Sequence, residues 1–67
     1  MTQSFGSRLR ALRREAGVSL RELARRAHLT PGHVSRIESG ERQASMAAAR
    51  SLMAGLGLNL AGSEKKS

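Results

Sequence analysis

The residues of this chain best suited to making specific hydrogen bonds lie in the stretch that begins at Thr30. Thr30 and Pro31 predict a helix start, because threonine caps free amides and proline at the first helical position lacks only an amide that would have no partner. Val34 and Ile37 lie three residues apart and give this helix one narrow apolar edge, and Gly40 ends it. The helix 31–39 therefore turns small, polar and cationic side chains outward. They are Gly32, His33, Ser35, Arg36 and Ser39.

An outer face of this kind can read the edges of bases in double-stranded DNA. Arg36 is the one side chain on it able to donate two hydrogen bonds, to O6 and N7 of a guanine. His33 can donate to a guanine or bind a phosphate, and Gly32 lets the helix approach closely. Thr30 and Pro31 offer methyl or methylene contact to a thymine. The predicted base-reading residues are Thr30, Pro31, Gly32, His33, Ser35 and Arg36.

A second helix start precedes this one and completes a helix-turn-helix pattern. Ser19 and Glu22 predict a capping box, in which the serine hydroxyl accepts from the Glu22 amide and the carboxylate reaches back to the Ser19 amide. Apolar residues then recur with the i, i+3, i+4, i+7 spacing of a buried helical stripe: Leu20, Leu23, Ala24 and Ala27. Two short helices joined by a tight turn can hold the second helix rigidly against a major groove.

Two further amphipathic helices are predicted, one on either side of this pair. The first runs from about Phe5 to Ala16, after a Ser4 cap, and Gly17 closes it. Its buried stripe consists of Phe5, Leu9, Leu12 and Ala16, with Arg8, Arg10, Arg14 and Glu15 on the solvent side. Ser45 caps the other helix, of about Met46 to Gly55. Its inward stripe consists of Met46, Ala49, Leu52, Met53 and Leu56.

The chain resembles the phage-repressor-like helix-turn-helix domains of the xenobiotic-response-element class, the Cro/repressor type. The resemblance runs roughly from Phe5 to Leu58 and rests on three stretches: FGSRLRALRREAGVSLRELARRA, LTPGHVSRIESGER and SLMAGLGL. Several motifs keep their mutual spacing, including the small residue Ala24 and the ending SRIESG at residues 35–40. The resemblance implies an all-α fold, a compact lambda-repressor-like domain of four to five helices.

The resemblance also implies structural roles for three residues. In this family a basic residue at the position of Arg13 forms a largely buried ion pair with a glutamate near the end of the recognition helix, the helix that reads the DNA bases. In this chain the recognition helix is helix 31–39 and the glutamate is Glu38. The alternative is two separate surface charges. Where His28 stands the family commonly has glycine, because the helix ends there in a left-handed conformation that histidine tolerates at some cost. We expect no metal site, since two histidines without cysteine or a carboxylate cluster do not form one.

Two groups of residues, one on each side of the recognition helix, are expected to grip the DNA backbone. The free amides and the positive dipole end at the start of the preceding helix suit a phosphate. The loop after the recognition helix supplies the second group. The predicted phosphate-binding residues are Ser19, Leu20, Arg21, Arg25, Ser39, Gly40, Arg42 and Gln43. For Arg25 the alternative is a solvated face, and at Leu20, where many relatives have glutamine, only the backbone can contribute.

Leu56, Leu58 and Leu60 alternate with other residues in the period of a strand. The sequence thus allows a short C-terminal strand, and two copies could pair across a twofold axis through these leucines. We therefore predict the three leucines as the dimer contact. The predicted domain organisation is a frayed N-terminus at 1–3, a DNA-binding domain at 4–60 and a flexible basic tail at 61–67.

Composition narrows the class of protein. The chain has 67 residues and no cysteine, so it forms one small domain with neither a disulfide nor a thiolate metal site. Twelve basic against five acidic residues give a net charge of +7, which attracts DNA, RNA or anionic lipid alike. A single aromatic residue, Phe5, argues against a binder of single strands. No apolar run approaches the roughly 20 residues that would span a membrane.

The leading interpretation is a sequence-specific transcription regulator, a repressor, that reads operator half-sites through helix 31–39 as a homodimer. The alternative is an antitoxin that binds both its own promoter and a toxin protein. A cationic membrane-active helix is disfavoured, because glycines and caps cut the chain into short helices. An enzyme is least favoured, since no nucleophile–base pair or carboxylate dyad is present. We expect no cofactor, no membrane partner, and a cytoplasmic location, on the nucleoid when DNA is bound.

Overall fold

The computed structural model describes residues 4–59, which form four helices and no strand. The helices are α1 (Phe5–Glu15), α2 (Leu20–Ala27), α3 (Pro31–Ser39) and α4 (Met46–Gly55). The prediction of an all-α fold is confirmed, and the predicted bounds of α3 and α4 are correct. α1 ends one residue earlier than predicted, because Ala16 is its C-cap. Three predictions fall outside the described residues: those for the N-terminus 1–3, for Leu60 and for the tail 61–67.

Each helix begins at a hydroxyl side chain that caps its first turn. The hydroxyl oxygens accept from the amide three residues ahead at 3.1 to 3.2 Å, and they belong to Ser4, Ser19, Thr30 and Ser45. These caps satisfy amides that have no partner within the helix. Only one of the two hydrogen bonds of the predicted capping box is formed, the one from the Glu22 amide to the Ser19 hydroxyl. The Glu22 carboxylate instead accepts from Arg25 and Arg26 of its own helix.

The two helices of the helix-turn-helix both end at a left-handed residue. His28 follows α2 with φ of 59°, as the resemblance implied, and Gly40 follows α3 with φ of 84°. At the first of these ends, the Leu29 amide donates to the Ala24 carbonyl oxygen at 2.9 Å and closes the helix. The chain can therefore turn within the three residues 28–30, and α3 packs against α2.

One hydrophobic core joins the four helices. α2 packs against both α3 and α4, and α1 packs against α3. The most deeply buried side chains come from all four helices: Leu9, Leu23, Val34, Ile37, Leu52 and Met53. Two predicted core positions are wrong, because Ala16 lies beyond the end of α1 and Met46, 64% exposed, lies one turn ahead of the first buried residue of α4. No helix in the described part of the chain is long and apolar enough to cross a membrane.

α1 comes close to the backbone of α3 at Gly6, which the sequence analysis left outside the core. Gly6 is buried, and a Cβ atom on it would lie 1.9 Å from the carbonyl oxygen of Ile37. No side chain can occupy that distance, so only glycine lets α1 rest on the backbone of α3. The contact fixes the last turns of α3 against the scaffold.

The chain after α4 closes that helix. Gly57 is left-handed, with φ of 76°, and the Leu58 amide donates to the Met53 carbonyl oxygen at 2.9 Å, as in a Schellman motif. Leu56 and Leu58 both pack, half-buried, against the core of their own chain. Leu56 lies in the turn that ends α4, and Leu58 is an isolated β-bridge residue, so no continuous strand runs through these two leucines within residues 4–59.

Candidate nucleic-acid interface

A largely buried ion pair fixes the end of α3 to α1. Nε of Arg13 donates to Oε2 of Glu38 at 2.7 Å, and Nη2 donates to Oε1 at 3.1 Å. Glu38 keeps 6% of its side chain exposed and Arg13 keeps 14%. The pair implied by the resemblance is therefore present, and the two groups are not separate surface charges. Hydrogen bonding to Glu38 raises the pKa of Arg13 above its ordinary value.

The same guanidinium also holds the turn that leads into α2. Nη1 of Arg13 donates to the carbonyl oxygen of Val18 at 2.9 Å. One side chain thus joins α1, the turn before α2 and the last turn of α3. Because the Gly6 contact joins α1 to α3 as well, α3 cannot rotate without breaking buried interactions. The helix with the predicted reading face is presented rigidly.

The outer face of α3 is open to solvent. Five of the six predicted base-reading residues are exposed, namely Thr30, Pro31, Gly32, Ser35 and Arg36. Arg36 has no acidic partner among residues 4–59, so its guanidinium is available to an outside acceptor. His33 is half-exposed, and its amide donates to the Thr30 hydroxyl oxygen at 3.1 Å. The cap thus occupies the hydroxyl oxygen of Thr30 and leaves its methyl group for a base contact.

The start of α2 offers backbone amides without acceptors. The Ser19 hydroxyl accepts from the Glu22 amide, and the amides of Leu20 and Arg21 have no partner among the described residues. Arg21 is exposed and has no carboxylate within ion-pair distance in that part of the chain. The Leu20 side chain packs, half-buried, against the core. The site therefore offers a phosphate free amides and a positive helix end.

The loop after α3 is shaped by hydrogen bonds to the carbonyl oxygen of Arg36. The Ser39 hydroxyl donates to it at 3.0 Å, and the Arg42 amide donates to it at 3.1 Å. Ser39 can therefore donate to a phosphate only by giving up that bond. Gly40, Arg42 and Gln43 are exposed, and the Arg42 guanidinium has no acidic partner between residues 4 and 59. Arg42 is the cation that this loop offers to a ligand.

Arg25 is less available than the sequence suggested. Its Nε donates to Oε1 of Glu22 at 3.1 Å, its Nη2 donates to Oε2, and Nε of Arg26 donates to that same Oε2 at 2.9 Å. Hydrogen bonds from Arg25, and next from Arg26, lower the pKa of Glu22 below its ordinary value. A phosphate approaching Arg25 must therefore compete with an ionised carboxylate on the same helix.

The structure brings to the site one residue that the sequence analysis left on the solvent side of α1. Arg10 lines an open hollow together with Leu20 of α2 and Ser35 and Ser39 of α3, and the Arg13–Glu38 pair lines it as well. Periodicity could not find this placement, because the side of α1 that meets α3 depends on how the helices cross. The one available signal was the three-residue spacing from Arg13, which puts both arginines on the same side of α1.

Two solved structures share this arrangement of helices. The crystal structure of the clp gene regulator ClgR from C. glutamicum is 37% identical in sequence, with a TM-score of 0.82 over 85% of this chain and 74% of that chain. The restriction-modification controller protein C.AhdI from Aeromonas hydrophila is 33% identical, with a TM-score of 0.83 over 87% of this chain and 88% of that chain. No curated protein matches the sequence.

A family model described as a helix-turn-helix domain matches residues 4–64. The motif itself consists of α2, the turn at His28 and α3, and the hydroxyl caps, the Arg13–Glu38 pair and the open face of α3 are built around it. The resemblance inferred from the sequence is thus confirmed by both sequence and fold. The chain belongs to the helix-turn-helix domain family.

Proposed function

We propose that this protein is a transcription regulator that binds specific sites on double-stranded DNA, with α3 as its recognition helix. The observation that carries the proposal is the open face of α3, where Arg36 has no acidic partner among residues 4–59. The helix beneath that face is locked by the Arg13–Glu38 pair. ClgR is named as a gene regulator and C.AhdI as a controller protein, which supports a regulatory role for this chain.

In the proposed complex α3 lies in the major groove, with a backbone contact on each flank. A major groove about 12 Å wide admits an α-helix. The free amides of Leu20 and Arg21 bind one phosphate, and Arg42 binds another beyond the end of α3. These contacts position the protein without reading sequence. Specificity then rests on Arg36, supported by His33 and by the shape of the DNA.

We further propose that two copies bind one operator as a homodimer and repress transcription by occupying it. A helix-turn-helix dimer reads two half-sites whose centres lie about 34–36 Å apart along the duplex. The proposed dimer contact consists of Leu56, Leu58 and Leu60, and the first two can contribute only the part of each side chain that their own core leaves exposed. Acting on an operator places the protein in the cytoplasm, on the nucleoid. Neither relative is named as an antitoxin, and we assign no toxin partner and no enzymatic activity.

Selection of bound sites from a random duplex pool tests these proposals together. We expect a symmetric consensus with half-site centres about 10–10.5 base pairs, or a multiple of that, apart. A pool of random single strands serves as the control and should yield no enrichment. A duplex pool that also yields no consensus would contradict sequence-specific binding. A consensus with a single asymmetric site would contradict the homodimer but not sequence-specific binding.

A further inference from the structure

We propose that Arg10 binds a backbone phosphate of the DNA in the hollow between α1, the start of α2 and the end of α3. The inference rests on the proposed function and adds a third backbone contact to it. Arg10 was not among the phosphate-binding residues that the sequence predicted. The contact would anchor the side of α3 that faces α1, between the two flanks already described.

The hollow opens next to the reading face of α3. Ser35 and Ser39 line it, and these two residues lie one turn apart on the exposed side of that helix. Arg10 approaches from α1, and Leu20 approaches from the start of α2. A duplex whose major groove holds α3 must therefore bring a backbone strand past the mouth of this hollow.

Most polar groups that line the hollow are already engaged within the protein. Glu38 accepts from Arg13, and Arg13 uses its three nitrogens on Glu38 and on the Val18 carbonyl oxygen. The Ser39 hydroxyl donates to a carbonyl oxygen of its own helix. Arg10, by contrast, is exposed and has no acidic partner among residues 4–59. It is the uncommitted cation of this hollow.

Arg10 is proposed as the hydrogen-bond donor in this hollow because Leu20, at the start of α2, has an apolar side chain. Leu20 lines the hollow with a side chain that cannot donate a hydrogen bond, and its amide is assigned to the separate phosphate at the start of α2. A phosphate carries two unesterified oxygens that both need donors. The guanidinium of Arg10 can supply charge-assisted donors where the side chain at Leu20 supplies none. The positive end of α2 adds to the attraction.

The first test compares Arg10→Ala with a matched charge control, Arg50→Ala. Arg50 is exposed on α4, which packs against α2, and it has no acidic partner within residues 4–59. Arg10→Ala should weaken binding to operator and random duplex alike by roughly tenfold, and it should flatten the slope of log K against log salt by about one unit. Arg50→Ala should leave the slope nearly unchanged. Both variants should melt at the wild-type temperature, since neither side chain is buried or paired.

The second test locates the phosphate itself. Single methylphosphonate substitutions along the selected operator each remove one phosphate charge. In every half-site, one position should weaken binding by the wild type and have no effect on binding by Arg10→Ala. A profile for Arg10→Ala that superimposes on the wild-type profile would overturn the assignment, as would salt slopes equal to those of Arg50→Ala. Failure of the wild type to prefer any duplex would instead overturn the proposed function.

Discussion

Arg13 and Arg36 differ in what surrounds their guanidinium groups. Arg13 is bonded to Glu38 and to a backbone carbonyl oxygen, and it is mostly buried. Arg36 is exposed and has no acidic partner in the described chain. Arginines of the first kind hold the fold, whereas those of the second kind are left for a ligand. Substitutions should therefore separate into losses of stability and losses of affinity.

Arg36→Ala is an example of a substitution that should reduce affinity and not stability. We expect this change to cost about 1–3 kcal/mol of operator affinity and to relax preference at one base pair, because a two-bond contact to a guanine is lost. Affinity for random duplex should fall less, and the melting temperature should not change. Fluorescence anisotropy titrations with both duplexes measure this. Equal losses on operator and random DNA would show that Arg36 contacts only the backbone.

Arg13→Ala is an example of a substitution that should reduce stability, because it leaves the carboxylate of Glu38 without its ion-pair partner. We expect a loss of about 3 kcal/mol in unfolding free energy, the lower end for buried pairs, because Arg13 keeps 14% of its side chain exposed. A domain this small has roughly 3–5 kcal/mol to lose, so about 0–2 kcal/mol of stability should remain. Urea denaturation followed by circular dichroism measures it. Arg25→Ala, which removes an exposed ion pair, is the control, and similar stability of the two variants would contradict this role of Glu38.

Among the contacts between helices, the packing of α1 on α3 depends on the absence of a Cβ atom at Gly6. Gly6→Ala should lower the unfolding free energy by about 1–3 kcal/mol, because a Cβ would meet the Ile37 carbonyl oxygen at 1.9 Å and the helices must separate. Gly32→Ala is a matched control on α3, where a Cβ meets no atom within 4 Å. It should be neutral or stabilising by up to about 1 kcal/mol. Equal effects of the two changes would mean that α1 can shift without cost.

Helix positions were predictable from the sequence because their signals are local. Ser19, Thr30 and Ser45 each lie directly before an apolar periodic run, and the structure places a helix start after each one. Gly57 carried the signal of a helix cap, but the alternation of its flanking leucines has the same period as a strand. The Arg13–Glu38 pair joins residues 25 apart in the chain, so it was reached only through the family resemblance.

The candidate site was predictable in part, for the same physical reason. The outward residues of α3, including Arg36, follow from the period of one helix with a narrow buried edge. Gly6 and Arg10 could not be found that way, because their roles depend on the distance and crossing of α1 and α3. The engagement of Arg25 by Glu22 was within reach, since arginine three residues after glutamate is a known helical pair.

Over the whole protein, the net charge is +7, and some of the basic side chains are paired with carboxylates while others are not. Arg25 and Arg26 are both held by Glu22, and Arg26 also donates to the Gly55 carbonyl oxygen at 3.0 Å. The arginines proposed to face DNA have no acidic partner among residues 4–59: Arg10, Arg21, Arg36 and Arg42. Charge of this kind accelerates encounter with a polyanion and makes affinity depend steeply on salt.

The homodimer is a property of the whole molecule as well. Removing residues 60–67 should shift the protein from dimer to monomer and weaken binding to a full operator more than to a half-site. Asn59 is the right endpoint, because Leu58 belongs to the cap of α4 and to the core. Sedimentation velocity measures the change. The double substitution Lys65→Ala/Lys66→Ala keeps Leu60 and should remain dimeric, and unaltered sedimentation of the truncated chain would place the dimer contact elsewhere.

Methylation interference on the selected operator tests most directly whether α3 reads the major groove. Methyl groups at N7 of guanine lie in the major groove, and those at N3 of adenine lie in the minor groove. We predict that N7 methylation of one guanine in each half-site blocks binding by the wild type and loses its effect with Arg36→Ala. Binding that is indifferent to N7 methylation, or that is blocked only from the minor groove, would contradict the account.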